Sequence, residues 1–247
     1  MPTFAIIFLA GLFAGAQNAL AGGGSFVTLG TLVFAGLNPR AANITSTIAL
    51  FPGLVTTALV SYKKAGGLAG LSLKVLVIIS LLGGIVGGLL LIATPPTFFA
   101  QLVPWLVLFA TAVFFWGSFI RKPTEEGQGV GTMVAAVAQF FIAVYGGYFG
   151  GGIGFLMLAV LTVAGMPVHR AAVTKNVLAM AMNASAFVIF LLTTELYWRQ
   201  AVVLGAGSII GGYVGVKLLP RVNERRLRMA IIVLGVLLTI GLFLRGR

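Results

Sequence analysis

Long apolar segments follow one another along the chain and are separated by short polar stretches. They cover approximately residues 3–20, 26–37, 42–61, 75–93, 102–120, 132–149, 155–165, 172–194, 201–216 and 229–244. Several of them reach the roughly 20 residues that a membrane-spanning helix needs. The pattern therefore predicts an all-α fold, a polytopic bundle of membrane helices.

Two of the apolar runs, 3–37 and 132–165, are too long for one crossing. A helix of about 34 residues would measure roughly 50 Å at 1.5 Å per residue, well beyond a bilayer. Each run contains a glycine triplet: Gly22, Gly23 and Gly24 in the first, and Gly150, Gly151 and Gly152 in the second. We expect each run to break at its triplet into a helix pair, which is either broken or re-entrant.

The composition supports a membrane location. Hydrophobic residues make up 60% of the 247 positions and charged residues only 8%, whereas soluble domains carry about 25% charged residues. A soluble globular protein and a disordered chain are therefore excluded. The chain has no cysteine, so it has no disulfide, thiolate metal site or cysteine nucleophile.

The two halves of the sequence repeat each other at an offset of 129 residues. Nine identical pairs fall within 22–45: Gly22/Gly151, Gly23/Gly152, Phe26/Phe155, Leu29/Leu158, Leu32/Leu161, Ala35/Ala164, Gly36/Gly165, Ala42/Ala171 and Thr45/Thr174. Chance would give roughly two or three in so biased a composition. We predict a first repeat over 1–122, a linker over 123–131 and a second repeat over 132–247.

The positive charges favour one membrane topology. If each broken run crossed once, Lys and Arg would divide 8 against 7 between the two sides. If each run returns to its own side, or crosses twice, they divide 11 against 4, as the positive-inside rule prefers. This arrangement makes the repeats inverted, a frequent plan of secondary transporters. It places the loops 62–74, 121–131 and 217–228 in the cytoplasm of a bacterial inner-membrane protein.

The glycine triplets are also candidate binding sites. Glycine lets a backbone approach a ligand closely, and free N–H groups at a helix start favour an anion. The alternative is close helix packing through small residues, which we prefer for Gly83, Gly84, Gly87 and their repeat partners. Polar side chains that could bind a polar substrate flank the triplets: Gln17 and Asn18 at the first, and Tyr145 and Tyr148 at the second.

A polar cluster opens the helix that follows each broken run. Its members are Asn43, Thr45, Ser46 and Thr47 in the first repeat and Thr174, Lys175 and Asn176 in the second. N-capping would explain one polar residue per helix, but not three. A lysine within a membrane helix costs about 3 kcal/mol and suggests a functional role, unless it snorkels to an interface. Asn183, in the middle of the same apolar segment, either lines the path or bonds a neighbouring helix.

Acidic residues are scarce, which narrows the possible activities. The chain has no Asp, and its four Glu lie in predicted loops or at helix ends: Glu125, Glu126, Glu195 and Glu224. A cation transporter or a carboxylate proton relay is therefore disfavoured. We expect no metal site or cofactor, and no enzymatic activity, since no acid or base accompanies a nucleophile within a span.

These residues resemble the sulfite exporter TauE/SafE family, also called the TSUP membrane transporters. The likeness covers nearly the whole chain and is carried by the segments 18–26, 42–47, 145–154, 169–171 and 175–176. Many members have a proline shortly after the glycine run, which is lacking here at 28–30 and 156–158. Many also have Thr-Ser where this chain has Thr174-Lys175, which looks like a subgroup feature.

The resemblance implies transport of small sulfur-containing anions such as sulfite and sulfonates. We therefore expect a secondary carrier for a small anion, either sulfite or another organosulfur or sulfur-oxyanion compound. A passive anion channel and a carrier of small carboxylates remain alternatives, as do a membrane-embedded enzyme and a structural subunit. The expected partners are the anionic substrate and the lipid bilayer but no nucleic acid; a coupling ion (proton or sodium) and a homodimer are left open.

Overall fold

The computed structural model describes residues 2–20, 22–68, 70–116, 131–192, 196–218 and 224–245. Within these ranges the chain forms ten α-helices and no β-strand. The helices are α1 (Pro2–Leu20), α2 (Gly24–Phe34), α3 (Pro39–Ser61), α4 (Leu73–Ala93), α5 (Pro96–Phe115), α6 (Thr132–Tyr148), α7 (Ile153–Val163), α8 (Val168–Phe190), α9 (Trp198–Leu218) and α10 (Glu224–Arg245). The all-α prediction is confirmed.

Part of the predicted organisation lies outside the described residues. This applies to 117–130, which includes almost the whole predicted linker with Glu125 and Glu126, and to 193–195 with Glu195. The predicted loop 217–228 is described only at its two ends. The proposed boundaries between the repeats therefore stay predictions.

Five helices in the described part of the chain are long and apolar enough to cross a membrane. They span Pro39–Lys64, Leu73–Ala93, Pro96–Val113, Val168–Phe190 and Trp198–Lys217. Large apolar side chains also cover the outside of the bundle, among them Phe34, Leu59, Leu192 and Val202. An exposed apolar surface of this extent is unfavourable in water and favourable in lipid. The fold is thus that of a multi-pass membrane protein.

Both glycine triplets break the helical path where the sequence predicts it. Gly22 and Gly23 have φ values of +85° and +82°, and Gly150 and Gly152 have values of +76° and +73°. Side chains strongly disfavour this left-handed region, which glycine enters at little cost. The helices that follow, α2 and α7, have 11 residues each and begin at equivalent repeat positions.

The bundle is held together by close packing between the halves. α1 packs along α9, and α6 packs along α4. A Cβ atom placed on Gly15 would lie 2.2 Å from the carbonyl oxygen of Ser208, and one on Gly87 would lie 2.1 Å from that of Val144. Gly83 and Gly84 meet α6 and α8 in the same way. The prediction that these glycines serve helix packing is confirmed.

The glycine contacts also give the relative directions of the helices. Gly11 meets Leu204 and Gly15 meets Ser208, so α1 and α9 run parallel. α3 also runs parallel to α9, because Gly205 meets Ala49 and Ser208 meets Gly53. Three helices of the bundle, α1, α3 and α9, therefore share one direction.

The other central helices share the opposite direction. α4 runs parallel to α6, with Gly83 next to Phe140 and Gly87 next to Val144, and parallel to α8 through similar contacts. α3 and α8 are antiparallel, since Ser61 near the end of α3 bonds Asn176 near the start of α8. Thus α4, α6 and α8 run against α1, α3 and α9.

Candidate functional site

A small cavity lies where the two glycine breaks meet α3 and α8. Its volume is about 30 Å³. This is enough for one or two water molecules, since one water needs about 10–15 Å³ of cavity volume. Its lining is Asn18, Gly22, Ser25, Thr47, Leu50, Leu54, Gly150, Ile153, Gly154, Lys175, Asn176, Ala179 and Asn183. Both halves of the chain thus contribute to one partly polar site.

The two glycine breaks touch each other at this cavity. The Ser25 hydroxyl donates a hydrogen bond to the Gly150 carbonyl at 3.3 Å. A Cβ atom on Gly22 would lie 2.8 Å from the Cα atom of Gly154, so the two backbones are in close contact. The absence of side chains lets the breaks approach, and their backbones form one wall of the cavity.

The start of α2 is held by a side chain from α1. The Asn18 Oδ1 atom accepts a hydrogen bond from the Gly24 N–H at 2.8 Å. The next turn closes with the Phe26 N–H donating to the Gly23 carbonyl at 3.1 Å, and Phe155 and Gly152 form the same bond in the second repeat. These N–H groups are therefore used within the protein.

Lys175 is the only charged side chain among the described residues that line the cavity. It lies on α8, is 2% exposed, and donates a hydrogen bond from Nζ to the Asn18 carbonyl at 3.2 Å. An ammonium group has three donors, so this bond leaves two for other acceptors. The head group points into the protein, which does not fit a snorkelling lysine.

The neutral polar residues of the lining are held in place by the surrounding helices. Asn176 donates from Nδ2 to the Ser61 hydroxyl at 3.1 Å. Asn183 donates from Nδ2 to the Ala179 carbonyl of its own helix at 2.8 Å. Of the two possibilities left open for Asn183, the structure places it at the cavity. Thr47, one turn of α3 away from Asn43, completes the polar part of the lining.

Some residues predicted to bind substrate lie outside the lining and join helices or loops instead. The Thr45 hydroxyl accepts a hydrogen bond from the Tyr197 N–H at 3.3 Å. The Ser46 hydroxyl bonds the Thr28 hydroxyl of α2. The Thr174 hydroxyl accepts from the Gly66 N–H at 3.0 Å. These contacts stabilise the positions of α3 and α8 around the cavity.

The remaining predicted residues also lie next to the lining without being part of it. Tyr148 donates to the Thr94 hydroxyl at 3.3 Å, and its carbonyl accepts from the Asn43 side chain at 3.1 Å. A Cβ atom on Gly151 would collide with the rings of Phe149 and Phe26. The other members of this group are Gly23, Gly24 and Gly152.

Several cavity residues were not among those predicted to bind substrate. They are Ser25, Leu50, Leu54, Ile153, Gly154 and Ala179. At the repeat offset of 129, Ser25 corresponds to Gly154, Leu50 to Ala179 and Leu54 to Asn183. Mapping the polar cavity residues of one repeat onto the other would have found part of this set, because the cavity lies between equivalent segments.

The fold and the partly polar site between two similar halves are those expected of one class of protein, the polytopic membrane transporters. Residues 7–242 match the sequence model of the sulfite exporter TauE/SafE family. Because this match covers almost the whole chain, the protein belongs to that family. The predicted resemblance is confirmed.

Named relatives agree with this class. The chain is 26% identical over 239 residues to a "probable membrane transporter protein" of Haemophilus influenzae, covering 95% of this chain and 92% of the relative. It is 26% identical over 240 residues to "probable membrane transporter protein ORF9" of Sinorhizobium sp, covering 96% and 91%. It is 23% identical over 236 residues to "probable membrane transporter protein YfcA" of Escherichia coli K12, covering 95% and 87%.

Proposed function

We propose that the protein is a secondary carrier of a small anion and that the cavity between its halves is the substrate site. The family name suggests sulfite or a related organosulfur anion as the substrate. The observation that carries the proposal is Lys175, a buried ammonium group that lines the cavity between the halves. An anion bound there would compensate its charge.

The energetic argument rests on how the ammonium is compensated. A buried charge is costly unless it is paired and hydrogen bonded. The helices that line the cavity contain no Asp or Glu in their sequence. The carbonyl of Asn18 offers Lys175 a single neutral acceptor. A bound oxyanion would supply both the opposite charge and further acceptors, with Asn176 and Thr47 positioned to donate to it.

The helix directions support the inverted repeat that the charge pattern predicts. α1 and α3 run the same way, so the chain must return between them, and α2 is the described helix available to do so. With 11 residues, α2 is about 16 Å long, roughly half of the bilayer core. α7 has the same relation to α6 and α8. This geometry favours two re-entrant helix pairs and an odd number of crossings in each half.

The inferred topology agrees with the charge count. If the loop that contains Lys63 and Lys64 is cytoplasmic, α4 begins on the cytoplasmic side of the membrane. The helices α6 and α8 run parallel to α4 and therefore begin on the same side. The start of α8 should then lie near the cytoplasm. The Arg170 side chain of α8 contacts Gly66 of that loop, which supports the same orientation.

The small size of the cavity favours a carrier over a channel. A four-atom oxyanion does not fit into about 30 Å³ without some rearrangement of the lining. A carrier passes through states with a constricted substrate site, whereas a channel in its conducting state has a continuous path. The two breaks, which contact each other through Ser25 and Gly22, are the parts whose separation would enlarge the cavity.

Transport in proteoliposomes tests this proposal. We expect the purified full chain to take up sulfite with saturable kinetics and to show counterflow when unlabelled sulfite is placed on the other side. At low sulfite concentration Lys175→Gln should reduce uptake at least tenfold, while Lys74→Gln, the same change at an exposed position of α4, should not. Flux without saturation or counterflow would identify a channel. Normal uptake by Lys175→Gln would remove Lys175 from the site.

A further inference from the structure

We infer that the cavity selects anions by their charge and accepts a small oxyanion with one negative charge, such as an alkylsulfonate or hydrogensulfite, over a dianion such as sulfate. The inference rests on the proposed function, because it concerns the substrate of the same cavity. It makes Lys175 the residue that determines the charge of the substrate.

The first step is the charge at the site. Among the described residues of the lining, Lys175 carries the one formal charge, and the other polar members are neutral: Asn18, Ser25, Thr47, Asn176 and Asn183. The helices α1, α2, α6 and α7 contain no Asp, Glu, Lys, Arg or His at all. The formal charge of the lining is therefore +1.

The second step concerns the other basic residues on α3 and α8. Arg40 is at the start of α3, and its guanidinium donates to the carbonyls of Ile92 and Thr94, both at 2.9 Å. It thus lies at the end of α4, where the helix dipole is negative. Arg170 and His169 are exposed at the start of α8. None of the three is part of the lining.

The third step is the energetic consequence. One bound monoanion makes the site neutral, whereas one bound dianion leaves an uncompensated negative charge in a buried place. Uncompensated buried charges are strongly unfavourable, and neutral donors relieve this only in part. The N-termini of α2 and α7 attract both ions, but the Gly24, Phe26 and Phe155 N–H groups are already bonded within the chain and do not donate to either ion.

The fourth step is the shape of the polar surface. The lining combines polar groups from Lys175, Asn176 and Asn18 with apolar side chains from Leu50, Leu54 and Ile153. An oxyanion that is charged at one end and apolar at the other fits both surfaces. Methanesulfonate is such an ion, and sulfate is a matched probe of similar size with a second charge.

Binding of these two probes to the full chain in detergent provides the test. We measure thermal unfolding as methanesulfonate or sulfate is titrated at constant ionic strength, since a ligand of the folded state raises the melting temperature. We expect methanesulfonate to bind at least tenfold more tightly than sulfate, a difference of about 1.4 kcal/mol. Lys175→Gln should lose the methanesulfonate effect, and Lys74→Gln should keep it.

The pH dependence of sulfite binding provides a second test, because sulfite gains a proton near neutral pH. Its affinity should fall as the pH rises and hydrogensulfite becomes the dianion, while methanesulfonate, whose charge is constant, corrects for any titration of the protein. Lys175→Arg keeps the charge and remains informative if Lys175→Gln does not fold. It should retain the preference for the single charge.

The possible outcomes separate this inference from the proposed function. Equal binding of sulfate and methanesulfonate, both dependent on Lys175, would overturn the charge selection and leave an anion site. A preference for methanesulfonate that persists in Lys175→Gln would show that another feature selects the ion. Binding of no anion, together with no uptake in proteoliposomes, would overturn the proposed function itself.

Discussion

Lys175 and Asn18 connect the two halves of the protein across the cavity. The Nζ atom of Lys175 on α8 donates to the backbone carbonyl of Asn18 on α1 at 3.2 Å. The same Asn18 uses its side chain to hold the first N–H of α2. An anion that binds Lys175 would compete with the Asn18 carbonyl, so substrate binding and the position of the first glycine break would be coupled.

Removing the Lys175 charge should weaken anion binding. We expect Lys175→Gln to lower affinity by at least tenfold, about 1.4 kcal/mol, because it removes the opposite charge but keeps a polar side chain of similar length. Lys175→Arg should restore binding only in part, since the planar guanidinium differs in shape from an ammonium. Equilibrium binding to the purified variants checks this. Unchanged affinity in Lys175→Gln would show that this residue is not at the substrate site.

Replacing Ser46 should affect stability and not affinity. Ser46 occupies the repeat position of Lys175, but its buried hydroxyl bonds Thr28 rather than lining the cavity. Ser46→Ala should lower the free energy of unfolding by about 1 kcal/mol, the usual value of one neutral hydrogen bond. Denaturation and anion binding are measured on the same preparation. A loss of affinity as large as that of Lys175→Gln would place Ser46 at the substrate.

The contact between the glycine breaks should be sensitive to a single methyl group. Gly22 and Gly36 both have positive φ, +85° and +98°, but a Cβ on Gly22 would lie 2.8 Å from Gly154 while one on Gly36 would meet nothing within 4 Å. Left-handed backbone costs a residue with a side chain about 1–2 kcal/mol. Gly36→Ala should show this cost alone, and Gly22→Ala a larger one.

Melting temperatures of the two variants measure the difference. Equal losses in Gly22→Ala and Gly36→Ala would mean that the breaks are not in close contact.

The inferred topology can be checked with introduced cysteines, since the chain has none of its own. Lys64, Gly131 and Thr97 are exposed and lie outside the long helices or at their ends. We expect Lys64→Cys and Gly131→Cys to resist an impermeant thiol reagent in intact cells and Thr97→Cys to react. The reverse pattern would invert the orientation. A reaction at only one of Lys64→Cys and Gly131→Cys would contradict the two crossings, α4 and α5, that separate these positions.

The packing of α1 against α9 should depend on its small residues. A Cβ on Gly15 would lie 2.2 Å from the Ser208 carbonyl, whereas one on Gly241 of α10 would meet nothing within 4 Å. Gly15→Ala should therefore lower the melting temperature. Gly241→Ala should raise it slightly, because alanine has the higher helix propensity by about 1 kcal/mol. A stable Gly15→Ala protein would contradict the close approach of these helices.

The sequence predicted the fold well because its main determinants are local. Apolar length defines the helices, and glycine at Gly22 and Gly150 defines the breaks. The cavity was predicted less completely. Thr45 bonds Tyr197 and Thr174 bonds Gly66, and both partners are distant in sequence. The sequence alone therefore could not distinguish a polar residue that lines the cavity from one that only lies near it. Leu50 and Ile153 resemble any other apolar residue of a membrane helix until their neighbours are known.

The exchange of contacts between the halves has a consequence for how such a protein could arise. The first helix of each half, α1 or α6, lies against the fourth helix of the other half, α9 or α4. In a half made alone, the glycine-lined faces of its first and fourth helices would have no helix to pack against. Only a second copy of the half could cover them. Under the inferred topology that copy must enter the membrane the other way up. Under that topology, a protein of one repeat could cover its glycine-lined faces only as an antiparallel dimer of two oppositely inserted copies.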